Sequence, residues 1–426
     1  MTTLLIVAAL LLLLLLGVPV AFALAALGFV LLVAGGFSPL MLPQALHSTF
    51  DNFLLLAVPL FLLMGNILLR AGIGRDLFDA VQAWTGRLPG GLAIATIVSC
   101  ALFSAISGSS VATAATIGTV AIPEMLRRGY ERRYVLGLLA AGGTLGILIP
   151  PSIPMIIYGV VTEENIVDLF LAGVVPGILL SGLFVAIALV QAARGAAVSV
   201  PPRLPLAQRL RETARALPMV VLAVVVVGGI YAGAVTPTEA SAVGFGGGLL
   251  IALLMGRLDF PTLRAAVEES AATTVTIFLV LAGAKVFGKA ITLYRIPQDL
   301  SEVLLATFDT PASFLAAVTV VLLVMGCFLE ALSMLVLMMP ILHPALLPLG
   351  IDPVWFGVYF VIMIECALIT PPVGLNLFVI QAVARASLAE VARGTWPFVL
   401  VMLVMVVLLY LFPAIALWLP FGVPLF

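Results

Sequence analysis

Charge is scarce in this chain. Asp, Glu, Lys and Arg make up only 9% of its 426 residues, where an ordinary soluble domain carries about 25%. A water-facing fold built from this composition would have almost no polar surface to present, so lipid must cover it. Lysine is nearly missing: Lys285 and Lys289 are the only two, and the remaining basic residues are arginines. The net charge of −1 gives no electrostatic case for nucleic-acid binding. The two histidines, His47 and His343, have no partner at ligand spacing. The three cysteines, Cys100, Cys327 and Cys366, lie in apolar runs. They have no metal spacing and no even-numbered disulfide framework, and read as small buried hydrophobes. Also missing are a His-Glu-x-x-His pair, a Walker loop and any Cys/His set, and no catalytic histidine accompanies the serines at 107–110. An enzyme and a resident cofactor are therefore not expected. No segment is long and polar enough for a soluble domain. The first residues lack a basic start and a small-residue cleavage site, and so read as a retained span rather than a leader.

What the chain has in abundance is apolar sequence, 63% of its residues. A membrane span needs about 20 apolar residues. The run 4–33 is longer than that, and is one tilted helix or two short ones broken at Gly17-Val18-Pro19. Spans are predicted at 51–70, 168–192, 216–234, 239–255, 271–293 and 396–418. The amphipathic stretch at 72–86 reads as an interfacial helix, and an amphipathic piece at 295–308 and an amphipathic turn at 385–394 follow in the second half. The fold class expected is an all-α polytopic membrane protein.

One pattern occurs twice. Pro150-Pro151 interrupts one apolar segment and Pro371-Pro372 interrupts another, 221 positions on. At the same offset Pro123 meets Pro344, Leu126 meets Leu347 and Gly129 meets Gly350. Paired breaks in membrane-length segments are the mark of a repeat-built carrier. Backbone released from a helix inside lipid survives only if it is buried in protein or lines a wet cavity. The reading is two repeats, 1–192 and 216–426, joined by an arginine-bearing cytoplasmic linker at 193–215. Each repeat would hold a re-entrant hairpin (88–128; 311–347) and a broken helix (134–160; 355–383). After the first hairpin the chain reads Arg127-Arg128-Gly129-Tyr130-Glu131-Arg132-Arg133; the equivalent stretch Pro348–Val354 has no Lys or Arg. By the positive-inside rule the first is cytoplasmic and the repeats are inverted in topology.

Hairpin tips and helix breaks together could form a site. Broken helices expose N–H groups that attract carboxylates and C=O groups that, with hydroxyls, ligate sodium. The first tip offers Ser107, Gly108, Ser109, Ser110 and Thr113; the first break offers carbonyls near Gly146 and Pro150, with Ser152. The second tip offers Glu330, which falls at the position of Ser109, and Ser333; the second break offers Thr370, Pro371, Gly374 and Asn376. Ser107, Ser109, Thr370 and Gly374 are the candidate sodium ligands. An intramembrane charge is a functional candidate by default, which singles out Glu330 and Glu365 for binding a cation, carrying a proton or capping a helix end. Glu239, in Thr236-Pro237-Thr238-Glu239, reads as an ordinary helix start. Lys285 and Lys289 read as side chains snorkelling to the interface. Gly142–Gly146 and Gly244–Gly248 read as close helix packing.

The runs Phe103–Thr113 (FSAISGSSVAT), Leu148–Pro154 (LIPPSIP), Gly233–Ala240 (GAVTPTEA) and Ile369–Asn376 (ITPPVGLN) together resemble the large membrane subunit of TRAP (tripartite ATP-independent periplasmic) transporters, the DctM type. The resemblance covers essentially the whole length. It implies sodium-driven symport of an organic acid across a bacterial inner membrane. The acid could be a C4-dicarboxylate, a keto acid or a sialic-acid-like carboxylate. It also implies two partners, a small four-helix membrane subunit and a periplasmic solute-binding protein. The implied fold is that of the ion transporter superfamily, an elevator-type transport domain (88–160 with 311–383) moving past a scaffold. Many members have Asp where this chain has Thr113, which weakens Thr113 as a ligand. A proton-coupled organic-anion transporter leaning on Glu330 or Glu365, and a passive channel, are the competing readings.

Overall fold

The computed structural model describes residues 2–191, 204–371 and 374–423. Pro372 and Val373 of the second break, and Arg194 and Arg203 of the linker, lie outside them. The described residues are helical throughout, without a strand. The N-terminal run is two helices, α1 (Thr2–Leu15) and α2 (Val20–Ala34). Gly17, at φ +80°, ends the first with a left-handed turn that a side chain would resist. Pro19 opens the second. Next come α3 (Met41–Phe50), a 3₁₀ turn at Phe53–Leu56, α4 (Ala57–Arg70) and the amphipathic α5 (Ile73–Thr85). Residues 88–128 form α6 (Gly91–Ser107) and α7 (Ser110–Arg127); residues 134–160 lie in α8 (Arg132–Leu148) and α9 (Ile153–Thr162), bent by 42° at the break. α10 (Ile166–Gln191) runs back.

The second half has α11 (Leu206–Tyr231), α12 (Pro237–Leu254), α13 (Phe260–Leu293), α14 (Ile296–Thr307), α15 (Pro311–Met325), α16 (Ala331–Leu346), α17 (Pro353–Leu368), α18 (Leu375–Ala384), α19 (Leu388–Leu411) and α20 (Ala414–Phe421). Several boundaries differ from those expected; α13, for one, starts at Phe260 rather than near 271. α11 starts at Leu206, so Arg209, Arg211 and Arg215 ride on its first turns rather than in a loop. α19 runs from the amphipathic stretch at 385–394 into the last predicted span, with Pro397 inside it, and that span breaks after Leu411, its end lying in α20. α12 opens with a capping box in which Thr236 and Glu239 satisfy each other's backbone, as the sequence suggested.

The two halves pack reciprocally. α7 lies on α18, and α16 lies on α9; α8 lies on α19, and α17 on α10; α4 lies on α12, and α13 on α2. Within each pair of pairs the elements stand about 221 positions apart, so corresponding elements of the two halves exchange partners. Lipid tails are as apolar as Leu, so these helices are held by close packing rather than by the hydrophobic effect. Small residues make the crossings. A Cβ on Gly137 of α8 would run into the Gly394 carbonyl of α19, and one on Gly28 of α2 would lie 2.8 Å from the backbone of Phe287 on α13.

Ion pairs gather the arginines on one face. Arg70 meets Glu269 at 2.8 Å, Arg132 meets Glu390 at 3.3 Å, and Arg257 pairs with Asp76. Trp84 Nε1 donates to Thr213 at 2.9 Å. These contacts join the end of α4 to the start of α13, the end of α12 and the start of α11 to α5, and the start of α8 to that of α19. Among the described arginines only Arg295 lies at the opposite face. There the Tyr158 hydroxyl donates to the Pro353 carbonyl at 2.6 Å, joining the end of α9 to the start of α17. Apolar side chains such as Leu217, Val221 and Val224 of α11 and Leu250, Leu253 and Leu254 of α12 stay exposed, which suits a lipid-covered surface.

Candidate functional site

The first tip is a tight left-handed turn. Gly108 sits at φ +57° because α6 must end and α7 begin within two residues. A Cβ there would lie 2.6 Å from the Pro151 carbonyl, so glycine is required both by the turn and by the contact. Ser109 caps α7, its hydroxyl accepting the Ala112 N–H at 3.3 Å. Ser152 caps α9 in the same way, accepting the Met155 N–H at 3.4 Å. Two helix N-termini inside the apolar core are thus each held by a serine, the preferred residue for that role. The tip is seated on the first break and on α8: a Cβ on Gly146 would come within 2.9 Å of the Ser109 carbonyl, while Gly143 faces Ala114 and Gly142 faces Cys100. The glycines of 142–146 therefore pack α8 against both arms of the hairpin. Gly244 and Gly248 pack α12 on Met64 of α4. Ser107 and Thr113 are buried and share a 3.1 Å hydroxyl contact. Pro150 is buried in the same cluster, and the Pro150–Pro151 peptide is cis.

The second tip is arranged likewise. Gly326 is pressed against Ala367 at the end of α17, and Cys327 Sγ lies 3.7 Å from the Pro371 carbonyl. Gly374 touches the Leu368 carbonyl, closing the described edges of the break. Glu330 occupies the N-cap position of α16 without a side-chain capping bond; it accepts a 3.2 Å hydrogen bond from Ser333. Thr370 donates to the Cys366 carbonyl at 2.6 Å. Asn376 is fully buried against α8, its Nδ2 reaching the Ala140 carbonyl at 3.4 Å. Its Oδ1 has no partner among the described residues.

One contact joins the two halves at this level. Ser110, in the first turn of α7, donates to both carboxylate oxygens of Glu365 on α17, at 2.7 and 2.9 Å. Both residues are buried, Glu365 being only 1% exposed. No Lys or Arg pairs with Glu365 among the described residues. The structure therefore gathers Ser107, Gly108, Ser109, Ser110, Thr113, Gly146, Pro150 and Ser152 into one cluster, with Glu365 on its edge. It gathers Glu330 and Ser333 at the second tip, and Thr370, Pro371 and Gly374 at the second break. No hydrogen bond links Glu330 to the first tip among the described residues, and no three of His, Cys, Asp and Glu converge there. Oxygen donors without a clustered metal set suit a weakly held hard cation better than a transition metal.

The sequence reading missed the Ser110–Glu365 pairing, for which nothing local gives a signal. It also missed a cavity of about 840 Å³ lying apart from both tips. This cavity is walled by α3, α13 and α14 on one side and by the ends of α9 and α16 on the other. Lys285, Lys289 and His343 line it, although the sequence alone treated the lysines as interfacial and gave the histidine no role.

Comparison with known proteins agrees with this architecture. The family described as "Tripartite ATP-independent periplasmic transporter, DctM component" matches residues 7–415. The chain is similar to the C4-dicarboxylate TRAP transporter large permease protein DctM of Pseudomonas aeruginosa, with 40% identity covering 88% of each chain. It is also similar to the sialic acid TRAP transporter large permease protein SiaM of Vibrio cholerae, with 34% identity over 95% of each. Its fold resembles the crystal structure of the Alcanivorax borkumensis YdaH transporter, with a TM-score of 0.63 and 17% identity, covering 90% of this chain and 89% of that one. These relatives are permeases rather than enzymes. The chain accordingly belongs to the DctM family, as a multi-pass large permease subunit of a TRAP transporter.

Proposed function

We propose that this subunit carries out sodium-coupled uptake of an organic acid across a bacterial inner membrane. The acid would be handed over by a periplasmic solute-binding protein, and a small four-helix membrane subunit would brace the scaffold. The observation that carries the reading is the double seat of the hairpins: each tip rests on a helix break, Gly108 at Pro151 and Cys327 at Pro371. Helix N-termini capped by Ser109 and Ser152 offer a carboxylate unpaired N–H groups. Hydroxyls at Ser107, Ser109 and Thr370, the Gly374 backbone and the free Oδ1 of Asn376 offer sodium its oxygens. The arginine-rich face is the cytoplasmic one by the positive-inside rule. The base of the α6–α7 hairpin then lies inside and that of α15–α16 outside, which favours inverted repeats. In an elevator, α6–α9 and α15–α18 would move together, and the crossing of α2 and α4 with α13 and α12 would stay fixed.

The test is uptake of labelled succinate and of labelled sialic acid by proteoliposomes. These would contain this chain and its four-helix subunit, with the binding protein outside. Accumulation driven by an inward sodium gradient, and lost without the binding protein, is expected. Equilibration without accumulation would mean a channel. One observation favours the proton-coupled alternative: the Glu365 carboxyl is buried in the core and has Ser110 as its one side-chain partner among the described residues. Accumulation driven by a pH gradient alone, and lost in Glu365→Gln, would establish that alternative.

A further inference from the structure

Both lysines of the chain face the same space. Lys285 and Lys289 stand one helical turn apart on α13, so their ammonium groups project from one face into the 840 Å³ cavity between α13 and the ends of α9 and α16. Neither makes an ion pair among the described residues. Like charges at this spacing repel each other, and nothing in α13 relieves them. Glu163 is the one carboxylate on the cavity wall and cannot neutralise two cations. His343 Nε2 lies 3.7 Å from Glu164, too far for a hydrogen bond. The other polar groups on the wall, Ser48, Thr49, Asn52, Thr162, Thr292 and Gln298, carry no charge. The volume falls in the range that holds a small organic molecule, about 300–1,000 Å³. The cavity lies by the C-terminal ends of α9 and α13, away from the ion-paired arginines. It extends inward along α16 to Val336, less than two turns beyond Glu330.

We propose that Lys285 and Lys289 form an anion-receiving site that takes the carboxylate of a small organic acid in this cavity, ahead of the tips and breaks. The inference rests on reading the chain as an organic-acid permease and adds a second, outer binding station to it. Two ammonium groups one turn apart match one dicarboxylate, or one carboxylate held by both. Their flexible stems let the acid leave again toward α16, as a staging site requires.

The charge of the cavity is read without any transport. In the purified full-length chain, Ser48→Cys places a thiol on the cavity wall, and Cys327→Ser removes the exposed native thiol. The thiol is then modified with an anionic and with a cationic methanethiosulfonate reagent. The anionic reagent should react faster by about tenfold, the lower end of electrostatic focusing in a cleft. Millimolar succinate should slow the reaction. In Lys285→Gln/Lys289→Gln both effects should vanish, while Lys285→Arg/Lys289→Arg, which keeps the charge, should retain them. Equal rates for the two reagents, a preference that survives the Gln pair, or an absence of succinate protection would each overturn the proposal. Loss of the site in this assay leaves the permease reading untouched. Absent uptake in proteoliposomes, with succinate protection intact, would instead remove the permease reading and leave the anion site standing.

Discussion

Ser110 and Glu365 stand 255 positions apart in the chain and are joined by a 2.7 Å hydrogen bond in the core. The bond ties the start of one hairpin arm to the broken helix of the other half. Removing its donor leaves a buried acceptor unpaired, which costs about 1–3 kcal/mol. Ser110→Ala is expected to lower thermal stability in detergent by that amount. Glu365→Gln keeps an acceptor oxygen for Ser110 and should unfold close to the wild-type temperature, yet its coupled uptake should fall by at least about tenfold, or about 1.4 kcal/mol. Uptake by Glu365→Gln at the wild-type rate would show that the carboxylate serves packing alone.

Gly108 and Gly350 both have positive φ, +57° and +70°, but only Gly108 has a neighbour where a Cβ would go. Gly350→Ala should cost about 1 kcal/mol from backbone strain alone. Gly108→Ala should cost a further 1–3 kcal/mol or so from the clash with the Pro151 carbonyl. Comparing the two unfolding temperatures isolates the seating of the tip from the turn itself.

The Oδ1 of Asn376, unpaired among the described residues, would supply a sodium ligand in the proposed site. Asn376→Ala should raise the sodium concentration for half-maximal uptake by about tenfold, equivalent to losing about 1.4 kcal/mol of ion binding. An unchanged sodium dependence in a stably folded variant would take Asn376 out of the ion site.

Cys327 is partly exposed at the second tip, whereas Cys100 and Cys366 are buried. Maleimide should therefore label one thiol rapidly, and mass spectrometry should place it at Cys327. Sodium together with the transported acid should slow that labelling if the second tip closes on its ligands.

On the arginine-rich face, burial and then the nearby Glu212 carboxylate push the Asp79 carboxyl above its usual range. Its ionisation at neutral pH therefore costs the folded state, and that cost fades as pH falls and the group protonates. Asp79→Asn should melt higher than wild type at pH 7, and the difference should shrink on acidification. A difference that grows in acid would contradict the sign.

Much of this architecture is legible in the residues. Pro150 and Pro371 mark the breaks because proline denies a helix its hydrogen bond. The Thr236–Glu239 capping box is readable because its chemistry is local. Gly17-Val18-Pro19 suggested a break without deciding it, and the left-handed Gly17 decides it. The continuity of 388–411 was not legible, because a proline such as Pro397 is tolerated inside a membrane helix where neighbours repair the backbone. Periodicity says which face of α17 is apolar, but every face of α17 is buried, so nothing in its pattern reveals that Glu365 meets Ser110. The lysines misled differently: a cation near a helix end looks the same in sequence whether it reaches lipid headgroups or a cavity.

The reciprocal seating of the halves bears on how the molecule is made. α7 finds its surface on α18, where Gly118 faces Ile380 and Val383. A ribosome must therefore synthesise some 250 further residues before that face of the arm, the one turned away from α8, is covered. Through that interval the nascent first half holds an incomplete hairpin in the bilayer. Gly118 and the Ser110 hydroxyl, whose partners lie in the second half, are then open to whatever helix passes, so insertion machinery that shields such half-depth segments would decide the yield of functional protein.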